Sequence, residues 1–127
     1  MKTEEADTPT LSTAEEKAAL KKFRASILQI LSQITADSRA SIFLSPVRES
    51  EAPGYHSLIK QPMDLKTVGK KVREGSITTS QDFRKELLLI FANAVMFNPP
   101  ESEYARAAHE LCEVAEGLVH VYDSLEV

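Results

Sequence analysis

The 127-residue chain is 43% hydrophobic with a formal net charge of −4. That fits one domain around one core and argues against a nucleic-acid backbone as the main partner, because such domains are usually basic. A lone cysteine, Cys112, excludes an internal disulfide or a cysteine-rich zinc site and fits a reducing compartment.

No apolar run approaches the roughly 20 residues that cross a bilayer, and no membrane partner is expected. The polar, acidic start "MKTEEADTPT" is unlike a secretory signal. Residues 1–11 read as a flexible lead-in, with the folded domain over 12–127. "STAEEKAALKKFRASILQILSQITAD" then reads as a long helix. Ser12 and Glu15 have capping-box spacing, and Leu20, Phe23, Ile27, Ile30, Leu31 and Ile34 recur at steps of three and four on one face.

Over residues 38–62 the periodicity stops. Pro46, Pro53 and Pro62 stiffen the stretch, while Phe43, Leu44, Val47, Tyr55, Leu58 and Ile59 give it apolar surface to bury. A connection of this length inside a compact domain is usually functional. It is expected to be an ordered loop with one helical turn near Tyr55 and Ile59.

The second helix is "MDLKTVGKKVREG". Asp64 suits an N-cap, Leu65, Val68 and Val72 form its stripe, and Gly75 ends it. The third, "ITTSQDFRKELLLIFANAVMF", has a capping box at Thr78 and Gln81 and a buried side of Phe83, Leu87, Ile90, Phe91 and Ala94. Pro99 pushes the residue before it out of the α region, so Asn98 falls at the junction of helix and loop. The fourth helix, capped by Ser102, turns Ala108, Leu111, Val114, Ala115, Leu118 and Val121 inward, and Gly117 is expected to serve close packing. Four such helices make an all-α bundle whose unusual feature is the long loop between the first and second.

Ligand sites in bundles form at helix ends under loops, which draws attention to Asn98. Its carboxamide is neutral and can donate to a neutral acceptor such as an amide carbonyl. Position alone leaves two roles open, a helix cap and a ligand donor, and the cap is the commoner role of such an asparagine.

"FLSPVRESEAPGYHSLIKQPMDLKTV", followed by "FANAVMFNPPESEY", resembles the bromodomain, the acetyl-lysine reader module. Three elements coincide in order: Phe-x-x-Pro-Val, a Tyr-x-x-x-Ile-x-x-Pro-Met-Asp-Leu run, and an aromatic-Asn-Pro turn. The resemblance spans about residues 13–124. "APGYHS" and "NAVMFN" are similar to the bromodomain subunit of a nuclear histone acetyltransferase complex, and "NPPESEY" to the bromodomains of acetyltransferase enzymes.

The resemblance implies a left-handed four-helix bundle with a cavity at one end, between the long loop and the turn after Asn98. It implies that Asn98 donates to the acetyl carbonyl and that Tyr55 reaches the same oxygen through water. Phe43 and Val47 would hold the acetyl methyl, Tyr104 would stand at the mouth, and Phe97 replaces a frequent tyrosine. It further implies acetylated histone tails as ligands, other subunits of a histone acetyltransferase complex as partners, a nuclear location, a monomeric domain, and neither cofactor nor catalytic residue.

Elementary physics agrees with such a slot. Acetylated lysine is neutral with one strong acceptor, whereas an unmodified ammonium entering an apolar slot with no carboxylate to meet it loses several kcal/mol. Two departures stand out, Phe97 without the tyrosine hydroxyl and a reduced shelf. The chain has no Trp, and "SIF" at residues 41–43 occupies the place of a frequent Trp-Pro-Phe shelf. This favours an alternative, a degenerate bromodomain that docks proteins and binds acetyl-lysine negligibly. An enzyme finds less support: His56, His109 and His120 lack metal-ligand spacing, and His109 and Cys112, one turn apart, read as ordinary helix-face residues.

Overall fold

The computed structural model describes residues 13–125. The expected lead-in and the Ser12 cap therefore lie outside the described residues. Helices run over α1 (Thr13–Ala36), α2 (Tyr55–Leu58), α3 (Leu65–Glu74), α4 (Ser80–Phe97) and α5 (Glu103–Leu125), with a 3-10 turn over Ser38–Phe43 after α1. Helices α1, α3, α4 and α5 form a four-helix bundle. The single turn of α2 lies at Tyr55, where the sequence places it, whereas the 3-10 turn went unseen because it lacks the helical period. Asp37 starts that turn by accepting the Arg39 N–H at 2.9 Å.

Local chemistry sets most helix ends. Asp64 accepts the Thr67 N–H at 2.8 Å and caps α3. Gly75 closes that helix at φ +86°, a left-handed conformation that favours glycine. Ser102 Oγ accepts the Ala105 N–H at 3.1 Å at the head of α5. The cap of α4 is one residue later than expected: Thr79, not Thr78, accepts the Asp82 N–H at 3.0 Å.

The core joins Ile27, Ile30, Leu31 and Ile34 of α1 to Val68 and Val72 of α3, Phe83, Leu87 and Phe91 of α4, and Leu111, Ala115 and Val119 of α5. Each large side chain buried in this way contributes about 1.5–3 kcal/mol relative to exposure. Arg84 Nε donates to Glu116 at 2.7 Å and Ser80 Oγ lies 2.6 Å from Asp123, so the start of α4 meets the end of α5. Phe23 meets Tyr122 edge-on with centroids 6.4 Å apart, and Arg39, just after α1, donates to Glu110 in the first half of α5 at 3.3 Å, so α1 runs antiparallel to α5 as well.

Three stripe assignments are corrected. Leu20, Val114 and Val121 are exposed, because the 3-4 spacing identifies a face but not whether a neighbour covers it. Ala105 and Val119 take the inward positions on α5. Gly117 is exposed too, and a Cβ there would meet nothing within 4 Å. The close helix contact belongs to Gly69, where a Cβ would come within 3.2 Å of Leu31 Cδ2. Gly117→Ala is therefore expected to raise unfolding stability by up to about 1 kcal/mol. Gly69→Ala, which must displace Leu31 Cδ2 of α1, should be the less stable of the two variants. Urea midpoints check the order.

Candidate functional site

The site is built where the long loop folds over the end of α4. Pro99 turns Asn98 out of the helix to φ −103° and ψ 149°. Its backbone N–H still reaches the Ala94 carbonyl at 3.0 Å. The side-chain Nδ2 donates to the same carbonyl at 2.9 Å. Asn98 therefore caps α4, as its position suggested. That bond also orients the carboxamide, since turning Oδ1 toward the Ala94 carbonyl would oppose two acceptors. The second Nδ2 hydrogen is uncommitted among the described residues. Cap and ligand donor are thus compatible roles for one side chain.

Three ties hold the loop. Lys66 N–H donates to the Leu44 carbonyl at 3.0 Å. Asn93, buried on α4, donates from Nδ2 to the Gln61 carbonyl at 2.8 Å. Between them Glu49 braces the approach to Tyr55. Its carboxylate accepts the Gly54 N–H at 2.6 Å and the His56 N–H at 3.3 Å, and lies 3.1 Å from His56 Nδ1. Gly54 itself stands at φ +87°, which lets the chain turn into α2.

Donation from the Gly54 amide, and next from the His56 ring, holds the Glu49 carboxyl below its ordinary value of 4.5. A carboxyl lowered on folding stabilises above its ordinary value, and the effect is lost as pH falls through the lowered one. Amide-exchange protection at Gly54 and His56, corrected for intrinsic rates, is therefore expected to hold above pH 4.5 and fade in more acid solution. In Glu49→Ala it should be weak at every pH. Equal protection in the variant would show that the loop stands without this brace.

Beneath the loop lies a cavity of about 690 Å³. All six residues named from the sequence line it: Phe43, Val47, Tyr55, Phe97, Asn98 and Tyr104. Phe43 is 7% exposed and packs edge-on against Phe91 at 5.6 Å, so it belongs to the core as well as to the wall. Tyr55 is 5% exposed and meets Phe97 edge-on at 5.0 Å. Its hydroxyl has no hydrogen-bond partner among the described residues, and burial pushes its pKa up, so it stays protonated at neutral pH. Val47 is half-buried, and Tyr104, half-exposed, stands at the rim.

Ile90 and Ala94 close the α4 side, and Met63 adds an apolar contact from the loop. Ser41 and Ile42 line the cavity but remain exposed, and with serine in the place of a frequent tryptophan the shelf is smaller. One expectation needs correction: a carboxylate, Glu51, is present in the lining, exposed to water. Sequence reasoning also missed Asn93 and the brace formed by Glu49. The only signal for Asn93 was a polar residue within an apolar helical run. Its partner lies 32 residues away, beyond any local pattern.

A family model for the bromodomain matches residues 27–110, most of the chain. The chain belongs to the bromodomain family. Its relatives include an Arabidopsis thaliana ATPase family AAA domain-containing protein, 33% identical over 111 residues that make up 85% of this chain and 9% of that protein. The human ATPase family AAA domain-containing protein 2B is 35% identical over 85 residues, 67% of this chain and 6% of the relative. Human bromodomain adjacent to zinc finger domain protein 2A is 36% identical over 80 residues, 63% of this chain and 4% of the relative.

This bromodomain thus spans less than a tenth of the length of these relatives. The fold matches the bromodomain of human BAZ1A with a TM-score of 0.72, at 22% identity, covering 75% of this chain and 89% of that one. The family is a reader module rather than an enzyme, and membership supports an acetyl-lysine reader domain here.

Proposed function

We propose that this bromodomain binds acetylated lysine in the cavity under its long loop. The observation that carries the reading is Asn98 lining an otherwise mainly apolar cavity with one side-chain N–H uncommitted. Asn98 donates to the acetyl carbonyl. Tyr55, in the same lining, offers its hydroxyl to that oxygen through a bridging water. Phe43 and Val47 hold the methyl, Phe97 backs Tyr55, and Tyr104 covers the lysine stem at the mouth.

Acetylation switches binding on by removing charge. An acetamide enters with one acceptor to satisfy, whereas an ammonium sheds water into a cavity whose carboxylate is out in solvent, losing several kcal/mol. A single neutral hydrogen bond adds only about 0.5–1.5 kcal/mol. Affinity is therefore expected in the tens to hundreds of micromolar, roughly −5 to −6 kcal/mol.

The physiological ligand in this reading is an acetylated histone tail in the nucleus. The resemblance of "APGYHS" and "NAVMFN" to the bromodomain subunit of a histone acetyltransferase complex supports a place in such an assembly, where neighbouring modules would add avidity. Small Ser41 in place of the frequent tryptophan of the shelf favours the second reading, a docking scaffold without acetyl-lysine affinity. Titration of acetylated and unmodified versions of one histone-tail peptide separates the two. The reader binds the acetylated form at least tenfold more tightly. Equal or undetectable binding of both leaves the scaffold.

A further inference from the structure

Among the described residues that line the cavity, Glu51 has the one acidic side chain. Its carboxylate makes no hydrogen bond or ion pair within the described residues, although its backbone N–H reaches the Arg48 carbonyl at 3.0 Å. Glu49, two residues earlier, is fully engaged by Gly54 and His56. Arg48, the nearest cation along the chain, does not line the cavity and so does not neutralise it there. The loop thus occupies one of its two neighbouring carboxylates as a brace and leaves the other unpaired at the site.

An acetylated lysine occupying the cavity carries no charge to meet Glu51. Its peptide neighbours would lie at the rim, where a cationic one could meet it. We infer that Glu51 is a specificity residue: it selects acetyl-lysines that have a cationic residue, arginine or unmodified lysine, close by in the peptide. The inference rests on the reader function proposed above and deepens it by naming the ligand's flank.

A carboxylate in water adds modest attraction to a single cation, in the range of exposed ion pairs, which corresponds to about two- to fivefold in affinity. It is a preference rather than a requirement. The effect is also salt-sensitive, since exposed charges are screened over about 3 Å at 1 M salt against about 10 Å at 0.1 M.

The test uses the 127-residue protein and a short acetyl-lysine peptide made otherwise of alanine, serine and glutamine. Arginine replaces glutamine in turn at each of the two positions on either side of the acetyl-lysine. The readout is the arginine-over-glutamine affinity ratio by fluorescence anisotropy. At one or more positions the ratio is expected to reach about two to five at low salt, to shrink at 1 M salt, and to approach one in Glu51→Gln. Glu101→Gln, which removes an exposed acid outside the cavity lining, should keep it.

A ratio near one at every position in the unaltered protein overturns the inference. So does a ratio that survives in Glu51→Gln, or one that falls equally in Glu101→Gln, which would reveal a general charge effect. The parent peptide without arginine keeps the two readings apart. If its acetylated and unmodified forms bind alike, the reader function has failed and the inference with it. If they differ while the arginine ratio stays at one, only the role of Glu51 is lost.

Discussion

Asn98→Ala is expected to weaken binding of an acetylated peptide roughly five- to 150-fold while the bundle stays folded. The figure follows from leaving an acceptor without its donor in an apolar slot, about 1–3 kcal/mol, and converting at about 1.4 kcal/mol per factor of ten. The variant also removes the Nδ2 bond to the Ala94 carbonyl. The backbone N–H of residue 98 still reaches that carbonyl, so the helix end keeps a partner and the loss of stability should stay small. Asn98→Asp sharpens the test, because it keeps the shape and replaces the donor with an anion facing the acetyl oxygen. It should bind at least as poorly as the alanine variant. Calorimetric titration gives the affinities, and far-ultraviolet circular dichroism reports the fold. Unchanged affinity in both folded variants would remove Asn98 from the site.

Phe43→Ala is expected to cost about 3–5 kcal/mol of unfolding free energy, the range for deleting a buried phenylalanine side chain. Domains of this kind are stable by only about 5–15 kcal/mol, so a large share of the margin is at stake. Phe43 closes the 3-10 turn, is 7% exposed, and meets the Phe91 ring edge-on at 5.6 Å. The same side chain forms part of the cavity wall. Stability and ligand affinity should therefore fall together, which would not happen if wall and core were separate. Phe43→Leu, keeping part of the volume, should lie between the parent and the alanine variant on both scales. Urea unfolding measures the first and peptide titration the second. A cost below about 1 kcal/mol in the alanine variant would mean that the loop collapses into the gap.

Much of the candidate site could be read in advance because its parts are short, ordered motifs. Phe43 and Val47, Tyr55, and the run from Phe97 to Tyr104 sit on three segments whose resemblance to the bromodomain named six of the residues that line the cavity. What joins those segments was hidden. Glu49 and Glu51 look alike in the sequence. One accepts from Gly54 and His56, and the other has no partner among the described residues. Their difference arises from the turn at Gly54, whose path no local pattern specifies.

The sequence by itself determined the helices, their caps at Asp64 and Ser102, the stop at Pro99 and the glycine that ends α3. These depend on interactions within a few residues, such as a side chain reaching an N–H three positions on or a ring that forbids one backbone region. Only the tertiary structure decided which apolar faces were covered, as Leu20, Val114 and Val121 show by lying outside. It also decided that Gly69 rather than Gly117 faces a neighbouring helix, that Asn93 holds a carbonyl 32 residues away, and that Asn98 caps its helix while lining the cavity. Helical periodicity gives a residue its direction about its own axis. Contact requires a second element to be there, and that depends on how the whole chain packs.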